Sequence, residues 1–456
     1  SVIRIELLLQ DGIQNILPYG VDYAFQNEYS NLLDAYKKNE LVEDSTIGLF
    51  MLSSIPVDRA EPSEALKTTS VWSSGLDNDL TILLSRKQVC DFKAGKKLVT
   101  EKDIKASRGA YLINSTVVIK PGRQIDWMIV AEINQGPTDI INLKSSLSES
   151  SKLKKAVLKD IAHGTSNLKK MVAFADGMQM TNNDLSYARH YTNTMFNIMR
   201  GGVFVNNYSI DINDFKNYVW SINRLVFKEF SHWLDDLEKG LTSTTLIEKA
   251  NKTENSDLIR IVYEYLPLTF SRRHGDPSRP WNIFSIETKK ENGEINYNYQ
   301  GNWRDIFQNW EALCLSFPEF IEGIISKFLN ASTIDGYNPY RIMRDGIDWE
   351  APEPNDPWSY IGYWGDHQII YLQKLLELSE DYHPGRMDSL LDSELFTYAN
   401  VPYRIKSYDK LTRNPQDTVE FDSELDKHIK SEVEYLGADA RLLKTKLGDS
   451  IYKVNL

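Results

Sequence analysis

The hydrophobic pattern of this 456-residue chain changes its period partway along, and that change limits the folds it can adopt. Residues 1–145 carry short period-two or apolar runs, such as STIGLFMLSS and GAYLINSTVVIKPG, separated by turn-forming SSGLDND and KPGRQ. From residue 183 nearly every segment has helical spacing, as in DLSYARHYTNTMFNIMRGG. We predict an α+β multidomain protein, with a β-sandwich-like domain at 1–145, a helical linker at 146–182 and a helical domain at 183–456.

The predicted linker and the first residues of the chain each carry a local signal. The segment SSLSESSKLKKAVLKDIAHGTSNLKKMVAFADG changes to helical spacing, and we predict a connecting helix that is broken near His163 and Gly164. The opening SVIRIELLLQDG holds Arg4 and Glu6 inside its apolar part, which a secretory signal would not. We interpret it as a β-strand entered partway through a domain, so the sandwich is expected to be truncated at its start.

Composition excludes several classes of partner. The formal net charge is −12 and no strongly basic block occurs, which disfavours binding to nucleic acid. No run of about 18 apolar residues is present, so we predict no membrane span. Cys90 and Cys314 are the two cysteines and lie far apart in sequence, which disfavours a disulfide framework. A cytoplasmic location is therefore expected.

The stretch NYQGNWRDIFQNWEAL places an Arg-Asp pair where a helix is predicted to begin. In one interpretation Asp305 favours the helix N-terminus through the dipole, and Arg304 pairs with a neighbouring carboxylate. In the other, Arg304 and Asp305 bind vicinal hydroxyl groups, while Trp303 and Trp310 offer aromatic stacking faces. The residues alone leave both interpretations open.

A second helix follows directly in SFPEFIEGIISKFLNAS. Ser316 and Glu319 have the spacing of a capping box, and Pro318 fits the first turn. The apolar residues of this segment fall on one helical face, which predicts a core-facing helix; they are Phe320, Ile321, Ile324, Ile325 and Phe328.

The loop SRRHGDPSRPWN gathers charged residues within a short span. Arg272, Arg273, His274, Asp276 and Arg279 form either a solvated basic loop or a site for an anion or polyol. A metal-binding role for His274 is disfavoured because no second histidine stands at ligand spacing, so no metal site is predicted.

The stretch YWGDHQIIYLQKLL contains another candidate pair. Asp366 stands at a predicted helix N-cap, and His367 follows it in the first turn. Capping alone explains Asp366, and a ligand-binding role is the alternative. The chain contains no G-x-x-x-x-G-K-S/T, no G-x-G-x-x-G and no G-x-S-x-G, which argues against a phosphate loop or an α/β-hydrolase.

The order of these parts resembles the cellobiose and chitobiose phosphorylase family, whose members combine a β-sandwich, a linker helix and an (α/α)6 toroid. The stretch GNWRDIFQNWEALCLSFPEFIEGII is similar to that family's aromatic-Arg-Asp-x-x-Gln-Asp helix and the Pro-initiated helix after it. The resemblance implies that Arg304 and Asn309 hold a sugar at the cleavage subsite, and that Asp366 lines the pocket. Asn309 departs from the family pattern, which has an aspartate there.

The resemblance also implies a reaction. It predicts an inverting glycoside phosphorylase or hydrolase that acts on oligosaccharides, with inorganic phosphate as a candidate co-substrate and no other cofactor. Arg273 and His274 are candidate phosphate ligands, and a homo-oligomer is compatible with the sequence. The family's general acid is the Asp of an Asp-Trp-Asn-Asp motif, which does not occur here, so no catalytic residue is assigned. We expect the chain to be a fragment whose general acid lies beyond residue 456.

Two other functions fit the same sequence. The chain could be a non-catalytic carbohydrate-binding protein that keeps the toroid fold without the acid. It could also be a helical scaffold for protein partners, which would expose a large apolar surface.

Overall fold

A computed structural model describes residues 4–55, 66–76, 79–269, 289–290, 294–336, 341–349, 351–352, 369–445 and 450–456. The chain forms two compact units, residues 1–164 and 165–456. Helices and strands are mixed, and the strands in the described ranges pair in small antiparallel sheets.

Unit 1 contains most of the strands. Its elements are β1 (Ile5–Ile16), α1 (Tyr23–Ala35), β2 (Lys37–Leu41), β3 (Gly48–Leu52), β4 (Thr68–Ser74), β5 (Thr81–Leu83), α2 (Val89–Lys93), β6 (Asp103–Lys105), β7 (Gly109–Ile119), β8 (Met128–Gln135), α3 (Pro137–Leu147) and the first part of α4 (Ser150–Phe174), which continues into unit 2. The strands form a sheet of order β1-β7-β5 and another of order β6-β2-β3-β4-β8.

Both sheets of unit 1 contribute to one hydrophobic cluster. Phe50 and Val71 come from the five-stranded sheet, and Ile82, Tyr111 and Ile113 come from the three-stranded sheet. The runs STIGLFMLSS and GAYLINSTVVIKPG, predicted as strands, are confirmed in β3 and β7. The run LTILLSRKQVCDF, which also predicts a strand, is a strand only in part. Thr81–Leu83 forms β5, and the short helix α2 (Val89–Lys93) begins within the rest of the run.

The predicted linker region is helical, as α3 and α4 show, but the predicted break is wrong. Helix α4 runs through His163 and Gly164 without interruption. A glycine in a helix costs only about 1 kcal/mol relative to alanine. A helix of 25 residues stays intact despite that cost, because its other residues keep their backbone hydrogen bonds.

Unit 2 is mainly helical. Its elements after α4 are α5 (Asp184–Gly201), α6 (Ile212–Ile222), α7 (Arg224–Glu229), α8 (Ser231–Asp235), α9 (Ser243–Asn251), α10 (Ser256–Glu264), β9 (Gln300–Asn302), α11 (Trp303–Cys314), α12 (Ile321–Asn330), β10 (Arg341–Met343), β11 (Gly346–Asp348), α13 (Ile369–Tyr382), α14 (Arg386–Leu391), β12 (Tyr403–Ile405), α15 (Tyr408–Arg413), β13 (Val419–Phe421) and α16 (Ser423–Leu436). Two 3-10 turns cover Pro318–Phe320 and Ala438–Arg441.

The segment INDFKNYVWSINRLVFKEFSHWLDDLEKG has helical spacing throughout, yet it divides into α6, α7 and α8. Asn223 causes the first division, because its backbone is extended and its Oδ1 accepts from the N–H groups of Leu225 and Val226, each at 3.0 Å. An asparagine at this position caps a new helix instead of continuing the old one.

Unit 2 holds two large hydrophobic clusters. The first surrounds α11, α12 and α13 and includes Trp303, Trp310 and Ile324. The second is built almost entirely from α6 to α10, with Phe215 and Leu258 among its buried residues. No helix within the described ranges combines the length and the apolar character that crossing a bilayer requires.

The start of α12 corrects one prediction and confirms another. Ser316 and Glu319 do not form a capping box, because Ser316 Oγ donates to the Ala175 carbonyl at 2.8 Å. Glu319 instead accepts hydrogen bonds from the hydroxyl groups of Ser243 and Thr244. The predicted apolar face is confirmed, since all five of its residues are buried; they are Phe320, Ile321, Ile324, Ile325 and Phe328.

Candidate functional site

Helix α11, which carries the predicted sugar-binding residues, begins inside the hydrophobic core. Trp303 is 1% exposed, and its ring centroid lies 4.8 Å from that of Phe307 and 4.5 Å from that of Phe328. Trp310 is fully buried and packs edge-on against Tyr299 at 5.3 Å. Both tryptophan rings therefore pack against other aromatic rings, and a contact between Trp303 and a sugar stays a prediction.

The other predicted residues are described only in part. Arg304 and Asp305 lie in the first turn of α11, and their side chains are outside the described part of the chain. Asn309 lies on the same helix and is 7% exposed. The remaining predicted site residues are outside the described residues, so their roles stay predictions; they are Arg273, His274, Asp276, Asp366 and His367.

A group of buried charges that the sequence analysis did not single out lies between the second hydrophobic cluster and the rest of unit 2. We call it the buried ion cluster and define it as Asp214, Arg260, Glu264, Lys327, Arg344 and Asp439.

Arg260 connects two acidic members of this cluster. It is 1% exposed, and its Nη2 donates to Asp439 Oδ2 at 2.5 Å while Nη1 donates to Glu264 Oε1 at 3.3 Å. Asp439 also accepts from Asn223 Nδ2 at 2.8 Å, and Glu264 accepts from Asn330 Nδ2. Burial alone would strongly disfavour the ionised form of both carboxylates. These contacts offset that desolvation cost.

A second ion pair lies in the same cluster. Arg344 Nη2 donates to Asp214 Oδ2 at 2.6 Å, and the same oxygen accepts from the Tyr265 hydroxyl at 2.7 Å. The Arg344 guanidinium carbon lies 5.5 Å from the centroid of the Tyr218 ring. This placement lets the aromatic ring stabilise a cation that has little access to water.

Lys327 differs from the other cations of the cluster. It is 5% exposed, and no carboxylate oxygen among the described residues lies within 4 Å of its Nζ. Its Nζ donates to the Arg344 carbonyl at 3.3 Å and lies 5.4 Å and 5.9 Å from the ring centroids of Tyr299 and Tyr218. Burial lowers the pKa of Lys327 to about 8, although Glu264 and Asp345 act in the opposite direction.

A cavity of about 40 Å³ lies beside these charges. Its polar lining comes from Arg260, Glu264, Lys327, Asn330, Asp439 and Arg441. One water needs about 10–15 Å³ of such space, so the cavity has room for a few waters and is far too small for a sugar ring. The buried ion cluster is therefore not an oligosaccharide site.

Another buried carboxylate, Glu322, meets a serine and a histidine. Its Oε1 accepts from Ser379 Oγ at 2.7 Å and lies 2.8 Å from His383 Nδ1. The serine and the histidine both contact the same carboxylate oxygen. The histidine is therefore not placed to take a proton from the serine, and the three residues do not form a nucleophilic triad. Within the described ranges no group of three or more His, Cys, Asp or Glu side chains is arranged to hold a metal ion.

One comparison with known proteins bears on this arrangement. The family model described as "Glycoside hydrolase family 149 insertion domain 1" matches residues 204–267. The match supports a glycoside hydrolase or phosphorylase-like family. It does not identify the cellobiose phosphorylases in particular. A search of curated proteins found no match.

The matched segment is a distinct part of unit 2. It contains α6 to α10 and supplies nearly all of the second hydrophobic cluster. It also contributes Asp214, Arg260 and Glu264 to the buried ion cluster, whose other three members lie outside the match. Charged contacts therefore join the matched segment to the rest of unit 2.

The sequence does carry a signal for this cluster. In LIRIVYEY, Arg260 and Glu264 stand four residues apart within the apolar stripe of α10, and in IISKFLN, Lys327 interrupts the apolar residues of α12. A charge inside a core-facing stripe is rarely left unpaired. The sequence spacing does not show which distant residues are the partners.

Proposed function

We propose that this chain is part of a glycoside phosphorylase or glycoside hydrolase that acts on oligosaccharides by an inverting mechanism. The observation that carries the proposal is the match of residues 204–267 to an insertion domain of a glycoside hydrolase family. The similarity of GNWRDIFQNWEAL to the sugar-binding helix of the cellobiose and chitobiose phosphorylases is independent support, because this stretch lies outside the match.

The proposed fold is a β-sandwich followed by an α/α toroid. In support, two antiparallel sheets of unit 1 share one hydrophobic cluster, as the layers of a sandwich do. In unit 2, helices α11, α12 and α13 contribute to one core, and a strand leads directly into α11.

The proposed sugar subsite lies at the N-terminal part of α11. We assign Arg304 to hydrogen bonding with sugar hydroxyls, and we assign the same role to Asn309, about 1.4 turns later on the helix. A guanidinium offers a fixed fork of donors, and an amide both donates and accepts, so the two suit vicinal hydroxyls. The packing of Trp303 against Phe307 and Phe328 supports this assignment, because a helix fixed in the core positions its polar residues accurately.

One of the remaining proposed ligands lies on α11, and the others lie outside the described residues. Asp305, Asp366 and His367 are assigned to the sugar, and Arg273, His274 and Asp276 are assigned to the sugar or to an inorganic phosphate co-substrate. Oligosaccharide is the proposed partner, a homo-oligomer is the proposed assembly, and the cytoplasm is the proposed location.

In the proposed reaction a general acid protonates the glycosidic oxygen while a nucleophile attacks the anomeric carbon from the opposite face. With phosphate as the nucleophile, the glycosidic C–O bond breaks, a C–O bond to phosphate forms, and the product is a sugar 1-phosphate of inverted configuration. With water, a second carboxylate must act as base. We assign neither the acid nor a base to a residue of this chain.

The test combines binding with product analysis. The protein is incubated with a panel of oligosaccharides, with and without inorganic phosphate, while Tm, free reducing sugar and sugar 1-phosphate are measured. We expect at least one oligosaccharide to raise Tm. Cleavage that depends on phosphate indicates a phosphorylase, and cleavage without it indicates a hydrolase. Binding without product supports the non-catalytic alternative, and a panel with neither binding nor product overturns the proposal.

A further inference from the structure

The cavity beside the buried ion cluster has more hydrogen-bond donors than the described residues satisfy. The Lys327 ammonium has three N–H groups, of which one reaches a described acceptor, the Arg344 carbonyl, at 3.3 Å. Arg260 Nε is buried without a hydrogen-bond partner among the described residues. Both side chains line the cavity, and both are at least nine-tenths buried. A buried donor without an acceptor is costly, so these groups require an acceptor inside the cavity.

The charges around the cavity indicate the charge that the acceptor should carry. Its lining contains three cationic side chains, Arg260, Lys327 and Arg441, and two acidic ones, Glu264 and Asp439, which leaves a formal excess of one positive charge. The exposed Asp345, which acts on Lys327, offsets part of this excess. Arg260 pairs with both acidic residues, and Lys327 has no described carboxylate within 4 Å. Lys327 is therefore a buried cation that no described carboxylate contacts directly, although Glu264 and Asp345 act on it from farther away.

The size of the cavity limits what can supply that counter-charge. A volume of about 40 Å³ admits a monoatomic anion with a water, or a few waters alone. Water would satisfy the hydrogen bonds without balancing the charge, whereas a halide accepts several hydrogen bonds and brings one negative charge.

We propose that this cavity binds a small monovalent inorganic anion of the size of chloride, held by Lys327 and Arg260 in the buried ion cluster. The anion completes the contacts between the segment 204–267 and the rest of unit 2, because Arg260 belongs to the former and Lys327 to the latter. The site is distinct from the proposed sugar subsite and does not depend on the proposed enzymatic activity.

The first test compares thermal unfolding in sodium chloride with unfolding in sodium gluconate at the same ionic strength. We expect chloride to raise Tm by roughly 2–4 °C at saturation, because it binds only the folded protein. Lys327→Met should abolish this difference between the two salts. Lys410→Met is the matched control, since Lys410 is a lysine of the same unit that is 59% exposed, and it should keep the difference.

Two further measurements keep the proposal testable if Lys327→Met does not fold. Arg441→Gln removes a lining cation while the two buried cations remain, and it should weaken the chloride effect several-fold. Crystals of the wild-type protein soaked in bromide should show an anomalous peak next to Lys327 Nζ and Arg260 Nε. Equal Tm values in the two salts, an unchanged chloride effect in Lys327→Met, or a cavity without bromide would each overturn the proposal.

Discussion

Arg260 and Asp439 form a buried ion pair with an N–O distance of 2.5 Å, although 179 residues separate them in the sequence. Arg260 is 1% exposed and Asp439 is 2% exposed, so neither charge is screened by water. The pair joins α10 to the 3-10 turn at Ala438–Arg441, two parts of unit 2 that are far apart in the sequence.

Breaking this pair should be strongly destabilising. Asp439→Asn leaves the Arg260 cation buried with Glu264 as its remaining acidic partner, and we expect a loss of about 3–5 kcal/mol in the free energy of unfolding. The measurement is urea denaturation. Lys410→Ala, which breaks an exposed pair with Glu420, is the control and should leave the midpoint unchanged. A loss for Asp439→Asn no greater than that of the control would contradict the buried pair.

The buried Lys327 predicts how stability depends on pH. Its pKa is about 8 in the folded protein against 10.5 ordinarily, so between these values the unfolded chain holds a proton that the folded protein has released. Stability therefore rises with pH across this interval, by about 3 kcal/mol in total.

Lys327→Met lacks this titration and serves as the reference in the measurement. In chloride-free buffer, the free energy of unfolding of the wild type should increase relative to that of the variant as the pH is raised from about 8 to about 10. The buried tyrosines titrate in both proteins, so their effect cancels in the difference. A difference that stays constant with pH would contradict a lowered pKa of Lys327 in the folded protein.

A side chain introduced at Gly437, directly after α16, should clash with the neighbouring backbone. Its φ is +101°, and a Cβ atom there would lie 2.7 Å from the carbonyl oxygens of both Ser221 and Ile222. Gly240 has a similar φ of +85° with nothing within 4 Å, so Gly240→Ala measures the backbone strain alone. We expect Gly437→Ala to cost about 1–3 kcal/mol more than Gly240→Ala in urea denaturation. Equal losses would mean that the backbone around Ile222 moves freely.

The packing of Trp303 predicts different results for two substitutions. Trp303→Ala should lose about 3–5 kcal/mol because it leaves a large cavity between Phe307 and Phe328. Trp303→Phe should lose much less, since it keeps an aromatic ring and removes an indole N–H that has no described partner. If Trp303→Phe keeps its stability but loses the Tm increase caused by oligosaccharide, the residue contacts sugar as well.

Arg304 provides the direct test of the proposed subsite. Arg304→Ala should abolish the increase in Tm caused by oligosaccharide, because it removes the bidentate donor, while the Tm of the free protein stays close to that of the wild type. Arg413→Ala, an exposed arginine at the end of α15, is the matched control and should keep the ligand effect. Equal ligand-induced shifts in all three proteins would count against the site.

Local patterns predicted much of the secondary structure. The runs STIGLFMLSS and GAYLINSTVVIKPG correspond to β3 and β7, and the apolar face of α12 is buried as its spacing predicts. The errors occur where a residue has a tertiary partner. Ser316 and Glu319 have capping-box spacing, but they bond to Ala175, Ser243 and Thr244 instead. Local spacing cannot show that a better partner exists elsewhere in the chain.

The buried ion cluster was missed for the same reason. Arg344 and Asp214 are 130 residues apart, and nothing in their neighbouring residues indicates that they meet. The presence of charges in the apolar stripes of α10 and α12 was visible, but their pairing depends on how the helices pack. For the proposed sugar site, the helix α11 was predicted from its period, and the roles of the site residues outside the described ranges stay predictions.

The distance in sequence between Arg260 and Asp439 has a consequence during synthesis. A ribosome adds roughly 5–20 residues per second, so Asp439 is made about 10–35 seconds after Arg260. During that delay the second hydrophobic cluster can assemble from α6 to α10, but it would bury Arg260 with Glu264 as its only carboxylate partner among the two it has in the folded protein. Until the chain has grown past residue 439, the nascent segment lacks the contact between Arg260 and Asp439, and we expect it to be more exposed to chaperones and proteases than in the finished protein.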